Sequence, residues 1–132
     1  MRVGIIGAMD SEVSLIADAI SQKETVSVGG RDYICGKYHD HEIILVKSGI
    51  GKVCAATAAA ALCDHFKADA VINSGCAGGI GEGLKIGDIV LSTGLAYHDV
   101  DLKIFGYKVG QLPSYEQYFN ADHALIAKAE AV

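Results

Sequence analysis

The chain has 132 residues, 51% of them apolar, a mean hydropathy of +0.30 and a formal net charge of -5 at pH 7. That length suits one α/β domain over residues 1–132 with an ample core. The composition excludes several classes: no apolar run approaches the roughly 20 residues of a membrane span, no leader-like segment opens the chain, and the 11 Lys and Arg residues are scattered rather than gathered into a nucleic-acid stripe. The expectation is a cytoplasmic protein that works on a small molecule or pairs with a second copy of itself.

The first element is an apolar strand over residues 3–6, broken at Gly7-Ala8-Met9. Val13, Ile16, Ala17 and Ile20 then recur at helical spacing, predicting a helix over 11–21 with Asp10 or Ser11 as its N-cap. Glu12 falls in the first turn of that helix. In open α/β sheets, ligands bind in the crevice beyond the carboxyl ends of the strands, so an acid placed just after the first strand is a candidate for chemistry. The competing reading is structural, because acids in first turns oppose the helix dipole and satisfy free N–H groups.

Strand-like runs over 25–28, 33–38 and 42–46, divided by Gly29-Gly30 and His39-Asp40, read as an antiparallel meander. Ser48-Gly49-Ile50-Gly51-Lys52 leads into an alanine-rich helix over 53–66, slim enough to lie close against a sheet. The glycines and Lys52 suggest a phosphate loop, but the second half of that pattern is absent. A short strand over 70–73 ends in Ser74-Gly75-Cys76-Ala77-Gly78-Gly79, small residues that let backbone approach a ligand. Residues 87–93 read as a further strand, and 97–120 as a long irregular stretch of the kind that is usually functional or disordered. The last residues, Ala129 to Val132, fall within an apparent helix without a C-cap signal.

Other chemistries find little support. Cys35, Cys54, Cys63 and Cys76 lack metal-ligand spacing and read as reduced thiols, mostly packed as small hydrophobes. Cys76 has no base that sequence can place beside it, so it is a lining thiol rather than a nucleophile. His98, Asp99 and Asp101 stand too close together for a metal set and have no complementary pair elsewhere. The glycines at Gly4 and Gly7 do not have the spacing of a dinucleotide turn. No metal and no cofactor are expected.

Three stretches carry a resemblance: Gly4-Ile5-Ile6-Gly7-Ala8-Met9 with Glu12, Ser48-Gly49-Ile50-Gly51-Lys52-Val53, and Asn73-Ser74-Gly75-Cys76-Ala77-Gly78-Gly79. They resemble the 5'-methylthioadenosine/S-adenosylhomocysteine nucleosidases, and the likeness continues through Gly87-Asp88-Ile89-Val90, Tyr97-His98-Asp99 and Phe105-Gly106-Tyr107 to Gly110-Gln111-Leu112-Pro113. It implies a phosphorylase/hydrolase-like α/β fold with a mixed central sheet flanked by helices. It also implies a cytoplasmic homodimer that hydrolyses the N-glycosidic bond of thioether nucleosides to adenine and a thioribose product, as in methionine salvage. By resemblance Glu12 handles the water, Met9 and Ile50 lie near the sugar and thioether, and the Cys76-Ala77-Gly78 backbone borders the nucleoside. Cys76 stands where the family pattern has serine. Leu102, Phe105, Tyr107 and Pro113 would reach across the dimer to close the pocket around the 5'-alkylthio group. Family members continue beyond Val132 with the general acid and ribose-gripping carboxylate, so the chain reads as the N-terminal portion, inactive alone. The alternatives are a purine nucleoside phosphorylase-type transferase, and a non-catalytic fragment that binds nucleoside or associates with itself.

Overall fold

The computed structural model describes all 132 residues, which divide into two compact units, Met1–Gly78 and Gly79–Val132. In the first unit a five-stranded sheet has the order β2-β3-β4-β1-β5, formed by β1 (Arg2–Gly7), β2 (Ser21–Val28), β3 (Arg31–Tyr38), β4 (His41–Lys47) and β5 (Ala70–Asn73). The meander β2-β3-β4 is antiparallel, as its turn residues predict, and β4 and β5 each pair with β1 in parallel. The expected mixed sheet flanked by helices is therefore present, with β1 at its parallel centre.

Burial explains this order. Ile43, Ile44, Leu45 and Val46 of β4 are all buried, and successive side chains point to opposite faces. Ile44 and Val46 join Ile6, Tyr33, Ala58 and Leu62 in one core, whereas Ile43 and Leu45 join Val3, Val13 and Ile20 in a second. Helix α1 (Asp10–Ala19) contributes to the second core and α2 (Lys52–Asp64) to the first, so the helices cover opposite faces. A strand buried on both sides reads as a continuous apolar run, as residues 43–46 do. The alanines of α2 let it approach closely. Ala58 and Leu62 are fully buried, and a Cβ on Gly4 of β1 would lie 2.9 Å from Leu62 Cδ1.

The cap of α1 differs from expectation. Met9, extended at φ -129°, is the N-cap rather than Asp10 or Ser11, because the Glu12 carboxylate reaches back to accept the Met9 N–H. Asp10 instead forms an ion pair with Lys47 at the end of β4, at 2.8 Å.

The second unit carries little regular structure. It contains a two-residue pairing of β6 (Gly94–Leu95) with β7 (Phe119–Asn120), a 3-10 turn at Lys103–Phe105, and α3 (His123–Glu130). The Asp122 carboxylate caps α3 by accepting the N–H groups of Ala124 and Leu125, both at 2.9 Å. Tyr97 and Tyr115 flank Phe119, with ring centroids 6.1 and 5.9 Å away. The strand expected over 87–93 does not form: those residues belong to neither sheet, and Ile89 and Val90 are exposed. Apolar alternation favours a strand only where a neighbour takes up its N–H and C=O groups. The irregularity expected over 97–120 is present apart from these short elements. No helix is long and apolar enough to cross a membrane.

Candidate active site

β1, β4 and β5 run parallel, so their carboxyl ends emerge at one edge of the sheet. There the chain continues as the Gly7-Ala8-Met9 turn, the Ser48-Gly49-Ile50 segment and the Ser74-Gly75-Cys76 loop. The connection after β1 leads toward the β2 edge and that after β4 leads to β5, so the two depart in opposite directions from neighbouring strands. Each connection passes the other's strand, and α1 and α2 carry them across opposite faces of the sheet.

Backbone bonds fasten the three segments together. Ser48 N–H donates to Gly7 O at 2.8 Å, and Ser74 N–H donates to Ile6 O at 2.9 Å. Ser48 is itself buried, its hydroxyl donating to Gly49 O at 2.8 Å.

Glu12 is the hub of this edge. Its Oε2 accepts the N–H groups of Ala8 at 2.7 Å and Met9 at 3.0 Å, and its Oε1 accepts the Cys76 N–H at 3.0 Å. The carboxylate thus bridges the turn after β1 and the loop after β5. The Cys76 N–H holds its pKa below the ordinary 4.5, desolvation pushes the other way, and the Ala8 and Met9 N–H groups lower it further. Glu12 is ionised at neutral pH. A carboxylate has about four lone-pair positions, two on each oxygen. Both on Oε2 are occupied, whereas Oε1 has one donor and retains room for another.

Of the other residues singled out by sequence, Met9, Ile50, Cys76, Ala77 and Gly78 all lie in the segments leaving these strand ends. Met9 and Ile50 are 38% and 77% exposed, and Cys76, Ala77 and Gly78 are exposed. The expectation of mostly packed thiols is corrected: Cys63 and Cys76 are exposed, and Cys35 and Cys54 are half-buried. Leu102, Phe105, Tyr107 and Pro113 belong to the second unit, Leu102 as the N-cap of the 3-10 turn, Phe105 in it and the other two after it. Phe105 is 73% exposed and Pro113 is exposed, whereas Leu102 and Tyr107 are half-buried.

Asp101 has a local role, accepting the Lys103 N–H at 3.1 Å and pairing with the Lys103 ammonium. His98 Nδ1 is 4.0 Å from Asp99. A separate cleft of about 570 Å³ lies toward the amino ends of β1 and β4, among Arg2, Glu42, His65 and Phe66. It is remote from Glu12 along the strands, and of the residues singled out above it is lined only by Cys35.

Sequence reasoning missed two contributors. Lys47 supplies a cation beside the Gly7–Glu12 turn, although Asp10 holds both its contacts at 2.8 and 3.0 Å. Gly75 lies against the Glu12 carboxylate, and neither spacing nor composition signals that proximity.

Comparison with known proteins agrees with this architecture. A model of the Phosphorylase superfamily matches residues 2–132. A 5'-methylthioadenosine/S-adenosylhomocysteine nucleosidase from Streptococcus pneumoniae, solved with a transition-state inhibitor, is 42% identical with a TM-score of 0.95 over 99% of this chain and 57% of its own. The nucleosidase from Colwellia psychrerythraea, solved with adenine, is 43% identical with a TM-score of 0.97 over 99% of this chain and 54% of its own. That from Neisseria meningitidis, in complex with methylthio-immucillin-A, is 43% identical with a TM-score of 0.96, over 98% of this chain and 56% of its own. The chain therefore spans a little over half the length of these structures.

Proposed function

The chain belongs to the phosphorylase superfamily, and from that premise we propose that it carries the water-activating part of a nucleosidase site. The reaction is hydrolysis of the bond between adenine and ribose in 5'-methylthioadenosine and S-adenosylhomocysteine. The observation that carries this reading is Glu12, an ionised carboxylate fixed by three backbone N–H groups at the strand ends, with acceptor capacity left on Oε1. As the C1'–N9 bond breaks, positive charge develops on the sugar. Water held by Oε1 adds to C1' while its proton passes to Glu12, and the departing adenine takes a proton at its ring from a general acid outside residues 1–132. Met9 and Ile50 offer apolar surface for the sugar and alkylthio group, and the Cys76-Ala77-Gly78 backbone borders the nucleoside. The thiol of Cys76 has no assigned chemical step. The nucleosidases to which the chain is similar, solved with adenine or inhibitors, support this substrate class.

The working form is a cytoplasmic homodimer in which Leu102, Phe105, Tyr107 and Pro113 close the partner's pocket. The high exposure of Phe105 suits such a role. The place of the reaction is methionine salvage, where spent thioether nucleosides are broken down.

Transfer to phosphate is the second reading, favoured by the superfamily itself. Against it, the Lys47 cation beside the turn is already paired with Asp10. In a polypeptide of the relatives' length carrying this sequence, methylthioadenosine should release adenine at the same rate with and without phosphate. Glu12→Gln should abolish turnover while leaving nucleoside affinity nearly unchanged. Strict phosphate dependence would establish the transferase, and calorimetric binding of methylthioadenosine without turnover would establish a non-catalytic binder.

A further inference from the structure

We propose that Gly75 is a positioning residue: its lack of a side chain lets the loop after β5 close onto Glu12 and hold Oε1 in the orientation that leaves one acceptor position for water. This rests on the reading of Glu12 as the base only for its catalytic consequence. A Cβ built on Gly75 would lie 2.9 Å from Glu12 Oε1, 3.1 Å from Cδ and 3.3 Å from Oε2. These three nearest neighbours all belong to the Glu12 carboxyl group. The first is closer than Cβ atoms approach oxygen, so an alanine here must displace either the carboxylate or the loop. Displacing either one disturbs the bond from the Cys76 N–H to Oε1.

The glycine is not there for its backbone freedom. Gly75 is absent from the glycines with positive φ, so alanine suits the conformation and only the contact with Glu12 opposes it. The Cys76 N–H is also the strongest influence holding Glu12 in its ionised form. Residue 75 thereby couples the loop that borders the proposed nucleoside site to the readiness of the base.

The test uses the 132-residue chain and needs no turnover, so loss of the nucleosidase reading would leave its result intact. The Glu12 carboxyl is titrated by carbon-detected NMR in wild type and Gly75→Ala. Denaturant midpoints are measured for Gly75→Ala, Glu12→Ala and the double variant. The expected result is an upward shift of the Glu12 pKa in Gly75→Ala, and a loss of midpoint that disappears when Glu12 is already alanine. An unchanged Glu12 pKa, or an equal midpoint loss in both backgrounds, overturns the proposal. If Gly75→Ala alone fails to fold, folding of the double variant supports it, and failure of both overturns it.

Discussion

Glu12 occupies the third position of α1 and also receives the Cys76 N–H from a loop 64 residues away in sequence. It is both a helix cap and a bridge between strand ends, so the structural and chemical readings of this acid are compatible. Because its folded pKa lies below the ordinary value, the stabilisation it contributes is fully present above about pH 4.5 and fades as pH falls through the folded value. Glu12→Gln replaces one acceptor oxygen with an amide that faces N–H donors. The urea midpoint of Glu12→Gln should therefore lie below that of wild type at pH 7, with the gap closing as the pH falls through the folded value below 4.5. A gap independent of pH would mean that the charge of Glu12 does not contribute to holding the turn.

At the scale of elements, the close approach of α2 to β1 places Leu62, which is fully buried, against Gly4. Leu62→Ala should cost about 2–5 kcal/mol, the usual range for emptying a core leucine site. Chemical denaturation would measure it, and a loss under 1 kcal/mol would mean the helix settles into the gap. Hydrogen exchange should separate two segments that both read as strands from the sequence. Amides of residues 43–46 are laddered between β3 and β1 and should exchange slowly, whereas those of 87–93 lie outside both sheets and should exchange within the dead time of the measurement. Slow exchange over 87–93 would mean that the segment has found a pairing partner.

At the scale of the whole molecule, the apolar side chains of Ile80, Ile86, Ile89 and Val90 are largely exposed. Surface of that kind promotes association. The 132-residue chain should self-associate with rising concentration in sedimentation velocity, and replacing Ile86 and Ile89 with Ser should reduce that association. Phe105→Ala tests the proposed exchange across a dimer. In a polypeptide of the relatives' length, it should weaken binding of thioether nucleosides more than of adenosine, since only the former place an apolar tail there. Equal losses for both ligands would remove Phe105 from the pocket.

The sequence by itself determined most elements of the first unit, because periodicity and turn chemistry are local: the strand over 70–73, the meander and both helices follow from residues within a few positions of one another. It also singled out Glu12, since a carboxylate just after a first strand has a place in any open α/β sheet. Two matters were decided by tertiary structure and a third, the cap of α1, by a contact three residues apart. The segment 87–93 has the composition of a strand, but strand formation depends on hydrogen-bond partners that composition does not encode. Met9 became the cap of α1 because Glu12 folds back onto its N–H. The convergence of Cys76, Gly75 and Glu12 depends on β5 lying in parallel beside β1, which brings residues 64 positions apart within hydrogen-bonding distance. Local sequence can propose an acid for the site, but the donors that hold it arrive only when distant strands pair.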